Sequence, residues 1–111
     1  MQKYFVRPKD KNGSCYYEFY KGKWDEKTFW KEDSICIDDN DWYDCDFVDI
    51  IIKHVPYYDL FGETEIKQEQ WDCIKKDAIL RGGKSKEIAI EADKWMIDTF
   101  NEYKVFTILG L

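Results

Sequence analysis

Residues 85–111 read SKEIAIEADKWMIDTFNEYKVFTILGL, and a change of period inside this stretch decides the fold class. Ile88, Ala92, Trp95, Met96, Thr99, Phe100 and Tyr103 recur at helical spacing, with Glu87, Glu91, Lys94 and Asp98 on the opposite side. The spacing predicts an amphipathic helix over 86–103, with Ser85 as its natural N-cap. The pattern then stops. Val105-Phe106-Thr107-Ile108-Leu109-Gly110-Leu111 is β-prone, uncharged and apolar on both alternations. A strand of that kind is buried on both faces or covered by helices, which places it inside a sheet.

Working toward the N-terminus, Gly82-Gly83 breaks the preceding helix. That helix is expected over about 66–80, capped by Thr64-Glu65, with Ile66, Trp71, Ile74 and Ala78 inward. Tyr57 to Gly62 reads as a loop rich in rings. Before it, Tyr43, Phe47, Ile50, Ile51 and Val55 predict a helix over 41–54, opened by Asp38-Asp39-Asn40-Asp41 and closed by Pro56. The run Ile50-Ile51-Ile52 leaves a buried strand open as the alternative. Tyr4 to Val6, Cys15 to Tyr20 and Ser34 to Asp38 are short and β-prone, with Tyr17 and Phe19 sharing one face. Asn12-Gly13-Ser14 reads as an ordinary turn, and Trp24 to Trp30 fits either a strand or an irregular crossing. The expectation is one α+β domain over 1–111. Its sheet is mixed but mostly antiparallel, built from the N-terminal strands and the C-terminal strand. About three helices pack on one face.

Charge sharpens the picture once it is split along the chain. Residues 1–31 balance at +4, residues 32–65 at −10 and residues 66–111 at zero, for a net −6. Charge so concentrated suggests steering toward a basic partner and argues against nucleic acid, whose phosphates it would repel. Five Trp, eight Tyr and seven Phe are more rings than a core of 111 residues requires, so several are expected on the surface. The start of the chain has no apolar run suited to a signal peptide, and no span suited to a membrane helix occurs. Cytoplasmic location and reduced thiols at Cys15, Cys36, Cys45 and Cys73 are therefore expected. With one histidine and no Cys-x-x-Cys, neither a metal site nor a cofactor is expected.

The motifs that invite chemistry do not hold. Gly83-Lys84-Ser85 ends like a phosphate-binding loop, but Ala78 stands where the leading glycine belongs, and a helix precedes. The Asp38–Asp49 run lacks calcium-loop spacing, since Tyr43 and Asp44 occupy the required ligand and glycine positions. His54 has no nucleophile or orienting partner in any recognisable pattern and reads as a helix-terminal histidine. No catalytic residue is expected.

The acids of the middle segment are interleaved with rings, and aromatic side chains commonly anchor interfaces. The candidate partner-binding residues are Asp38, Asp39, Asp41, Trp42, Asp44, Asp49, Tyr57, Tyr58 and Glu63. Tyr43 is expected in the core; Trp42 and one of Tyr57 or Tyr58 are expected outside. The plain alternative is a solvated acidic face.

Gly62-Glu63-Thr64-Glu65-Ile66-Lys67-Gln68-Glu69-Gln70-Trp71, Trp95 and the closing Phe106-Thr107-Ile108-Leu109-Gly110 resemble immunity proteins of bacterial contact-dependent growth inhibition and related polymorphic-toxin systems. The likeness covers about the C-terminal half and marks a fold rather than a function. Lys67 departs from it, standing where similar sequences carry a better helix cap. The resemblance implies a non-enzymatic inhibitor, a monomer or weak dimer, that binds a cognate toxin. Many such toxins are nucleases with basic clefts, which an acidic inhibitor would match. Two other classes stay open. One is a small enzyme or ligand-binding domain with a pocket between helices and sheet; the other is a subunit of a larger assembly.

Overall fold

The computed structural model describes residues 3–13, 15–59 and 61–110. Ser14 of the expected turn, Leu60 of the expected loop and Leu111 of the expected final strand lie outside them. The elements run β1 (Phe5–Val6), β2 (Tyr16–Lys21), β3 (Ile35–Asp38), α1 (Asp39–Tyr43), α2 (Phe47–His54), β4 (Glu63–Lys67), α3 (Gln68–Arg81), α4 (Gly83–Glu102) and β5 (Val105–Leu109). The fold is α+β, with one five-stranded sheet in the order β1-β3-β2-β5-β4. Every pairing is antiparallel. As the apolar run predicts, β5 is interior, bonded to β2 on one side and β4 on the other.

The register puts Phe5, Tyr17, Phe19, Ile35, Ile37, Ile66, Phe106 and Ile108 on one face. The helices cover this face and complete the core with Trp42, Phe47, Ile50, Ile51, Trp71, Ile74, Ile88, Ala92, Trp95 and Met96. Rings dominate it. Phe106 is the hub, with Phe19, Trp71, Trp95 and Phe100 centred 5.4 to 6.0 Å away.

On the other face, Glu18 lies in the row Cys36, Glu18, Leu109, Glu63. Among the described residues no regular strand or helix covers it. Residues 24–30, open between strand and crossing in the sequence, form an irregular crossing in the segment that lies over this face. Glu18 is 1% exposed, and its carboxylate accepts hydrogen bonds from the backbone N–H of Trp30 (2.7 Å) and Lys31 (3.0 Å). Asp25 ties the loop to itself by accepting from Lys27 N, Thr28 N and Thr28 Oγ1, and these donors hold its carboxyl down to about 2. Trp24 Nε1 donates to the Thr28 carbonyl, and the Trp24 and Phe29 rings are centred 5.1 Å apart.

Three expectations need correcting. The helix over 41–54 is two helices, α1 and α2, parted at Asp44-Cys45-Asp46. Ile66 and Lys67 belong to β4, so Thr64-Glu65 is strand rather than helix cap. Lys67 is the N-cap of α3, and its N–H donates to Gln70 Oε1 at 2.9 Å. The last helix begins at Gly83 with Gly82 (φ +74°) as N-cap, which places Ser85 inside the first turn and buries it. At the other end of the sheet, Gly22 has φ +76°, and a Cβ there would meet the Tyr103 ring at 2.6 Å. Glycine is required at that turn on both counts.

Candidate functional site

The acidic segment follows β3 onto α1. Asp38 caps α1, its carboxylate accepting from Asn40 N at 2.8 Å. Asp39 opens the helix beside the paired hydroxyls of Tyr17 and Tyr43. Asp41 and Asp44 both hold the ammonium of Lys84, at 2.9 and 3.0 Å, which raises its pKa. Asp46 meets Arg81 at 3.7 Å. The cationic start of α4 and end of α3 thus neutralise part of the acidic run. Lys84, the apparent phosphate-loop lysine, is spent on this role. Among the described residues no ion pair engages Asp39, Asp49, Asp59 or Glu63.

Two adjacent rings exchange the places expected of them. Trp42 is fully buried, stacked on Tyr17 at 5.2 Å and packed against Phe19 and Phe47. It belongs to the core and leaves the partner-facing set. Tyr43, expected inside, is 51% exposed. The helix break explains the exchange. With α1 ending at Tyr43, its inward direction is set by Trp42 over β2, and the stripe of Phe47, Ile50 and Ile51 starts afresh on α2.

Tyr57 is 59% exposed, and its hydroxyl donates to the Glu65 carbonyl at 2.9 Å on β4. Tyr58 is half-buried against the core, its hydroxyl beside the Trp42 indole and within the field of Tyr43 and Asp59. Phe61 stands 78% exposed next to Gly62 and the exposed Glu63. The structure therefore brings Asp39, Tyr43, Tyr58 and Asp59 into one neighbourhood, which continues along the chain to Phe61 and Glu63.

A second feature escaped the sequence reading. On the loop-covered face of the sheet a cavity of about 490 Å³ is lined by Glu18, Trp24, Phe29, Trp30, Phe61 and Glu63, with Leu109 at its floor. The chain brings these residues from β2, the crossing over 22–34, the loop after α2 and β4, so no local spacing reveals them. The one available signal was Glu18, a lone carboxylate in an otherwise aromatic strand. Burial of Cys36, and after it the charge of Glu18 beside it, pushes the Cys36 thiol up to about 12. At the far end of β4 a more open cleft of about 930 Å³ mixes Lys23, Lys67 and Lys104 with Glu65 and Glu69. The four cysteines are free thiols, Cys15 and Cys73 exposed.

His54 does find a partner. Its Nε2 lies 3.0 Å from Asp77, which also meets Lys53 and Arg81. Lys53 and His54 thereby tie α2 to α3, and the hydrogen bonds from His54, Arg81 and Lys53, that of His54 first, hold the Asp77 carboxyl down to about 2. A depressed carboxyl stabilises the fold above its unfolded pKa, and that stability is lost as pH falls from about 4 toward 2. Asp77→Asn should therefore destabilise the protein at pH 6 and be nearly neutral at pH 2. Denaturation midpoints at the two pH values check this, and an equal gap at both would deny the network any charge-dependent role.

Among the described residues no helix is long and apolar enough to cross a membrane. No family model matches the chain, and no curated protein and no solved structure matches it.

Proposed function

We propose that this chain is a non-enzymatic inhibitor of the immunity type, which neutralises a cognate toxin by binding its basic surface, that of a nuclease domain above all. One observation carries the reading. Three large rings, Tyr43, Tyr57 and Phe61, stand 51, 59 and 78% exposed in a segment whose acids Asp39, Asp49, Asp59 and Glu63 lack counter-ions among the described residues. Exposed rings lose the burial that would stabilise them in a core, whereas an interface recovers it. Unpaired acids around them raise the encounter rate with a basic protein, while the rings slow its release. Acids already paired with Lys84 and Arg81 contribute less to that field, which shifts the working set from Asp41 and Asp44 toward Asp39, Asp49, Asp59 and Glu63.

A second reading has its own observation. The aromatic cavity over Glu18 is of a size that small ligands occupy. It lies on the sheet face away from the helices, not between helices and sheet. A ligand-binding domain would bind its compound without any toxin.

Co-expression with candidate toxin domains, first any encoded by a neighbouring gene, tests the proposal. The chain should restore growth and co-purify with the toxin; unprotected cells would overturn it. The triple change Asp39→Asn, Asp49→Asn, Glu63→Gln should move the melting temperature by less than about 5 °C, since none of the three is in an ion pair among the described residues and substitutions away from such contacts usually stay within about 0.5 kcal/mol of either sign. It should slow association roughly tenfold at low salt and less at high salt. Association at the parent rate in low salt would remove these acids from the interface.

A further inference from the structure

The cavity on the loop-covered face combines two features that seldom coexist. Its walls are the rings of Trp24, Phe29, Trp30 and Phe61, and its polar groups are the carboxylates of Glu18 and Glu63. The Trp24 indole N–H, a donor on the wall, is already given to the Thr28 carbonyl. What the lining offers an occupant is mainly aromatic surface, with one exposed carboxylate, that of Glu63, and the field of the buried Glu18. An anion would be repelled by Glu63 and by the buried charge of Glu18, whereas a cation would be attracted by both.

Glu18 makes the case more specific. It is 1% exposed, and its two identified partners are neutral backbone N–H groups. Among the described residues no cation comes within ion-pair distance of it. A buried carboxylate without a counter-ion is costly, and a cation placed beside it removes much of that cost. The aromatic wall suits the same occupant, because a cation over a ring face is attracted by the ring quadrupole. The fold already uses this attraction on Trp30, where Lys11 Nζ sits 3.3 Å from the ring centroid. Lys11 lines a separate cleft with Arg7 and Glu32, leaving the aromatic cavity without a lysine of its own.

We infer that this cavity receives an arginine side chain of the protein partner, its guanidinium laid on the aromatic wall and facing the exposed carboxylate of Glu63, while the buried Glu18 carboxylate adds its charge from behind the wall. Arginine fits better than lysine because a planar guanidinium stacks on rings while its edge donates several hydrogen bonds to carboxylates. Phe61 and Glu63 line the cavity and also belong to the acidic segment, so the pocket and the proposed contact surface share two residues. The inference rests on the reading of the chain as a binder of a basic protein and names the side chain that is recognised.

The test uses the intact protein and no partner. N-acetyl-arginine methylamide is titrated while the indole N–H resonances of Trp24 and Trp30 are followed by NMR, with the leucine and glutamate analogues as controls. The arginine compound should give saturable shifts at both indoles, the leucine compound should bind roughly fivefold more weakly or worse, and the glutamate compound should not bind. Phe61→Ala and Glu63→Gln, both at exposed positions, should weaken arginine binding about fivefold without moving the melting temperature. Leucine binding as tight as arginine would reduce the cavity to an apolar cleft and overturn the inference. Absence of any saturable shift would overturn it equally. Neither result touches the growth-rescue experiment, whose failure would in turn leave the arginine preference of the pocket measurable.

Discussion

A chain ended at residue 105 will show no cooperative thermal transition. The cut removes Phe106, Thr107, Ile108 and Leu109, all buried, from an interior strand. Full burial of three large apolar side chains is worth about 1.5–3 kcal/mol each. The sum of about 5–9 kcal/mol rivals the whole stability of a domain, about 5–15 kcal/mol. The ladder is lost on both sides as well. Residues 18–21 of β2 and 63–67 of β4 are paired through β5, and among the described residues β4 has no other partner in the sheet. Phe106 also holds together rings from β2, α3 and α4, so the helices lose the surface on which they meet. Far-UV circular dichroism on heating is the measurement. A sharp transition within about 5 °C of the parent would contradict the interior placement of β5.

Trp42→Ala should cost about 3–5 kcal/mol, whereas Tyr43→Ala should cost no more than about 1 kcal/mol. Trp42 is fully enclosed by Tyr17, Phe19 and Phe47 at centroid distances of 5.2 to 5.7 Å, so truncation opens a cavity that these stiff rings fill poorly. The expected fall in melting temperature is about 10–20 °C. Tyr43 loses mainly a hydroxyl contact with Tyr17 and a half-exposed ring. Binding should show the reverse order. Tyr43→Ala should speed dissociation from the toxin, as loss of an exposed anchor does, while any refolded Trp42→Ala protein should dissociate at nearly the parent rate. Chemical denaturation and surface-binding kinetics on the two variants separate the roles. A Trp42 variant as stable as the Tyr43 variant would return Trp42 to the surface.

The candidate site was half legible in the residues. The acidic segment and its rings are visible in the chain as written. Which acids remain unpaired is not, because Lys84 and Arg81 reach Asp41, Asp44 and Asp46 from some forty residues away. Of the aromatic cavity only Glu18 gave a signal, since the cavity assembles residues from 18 to 110 across the back of a sheet.

The sequence by itself determined the α+β class, the amphipathic α4, and the interior position of β5. Each of these follows from a periodicity that spans several consecutive residues and that burial reads directly. Tertiary structure alone decided the rest. Glu63 to Lys67 carries only two inward residues, Thr64 and Ile66, and becomes a strand because β5, forty residues later, offers it a ladder. Trp42 rather than Tyr43 turns inward because Tyr17 and Phe19 on β2 present the larger ring with a place to stack. Residues 22–34 cover a sheet face because one buried carboxylate, Glu18, collects two of their backbone N–H groups. In each case the deciding contact is distant in the chain, and its free energy exists only once the two segments have met.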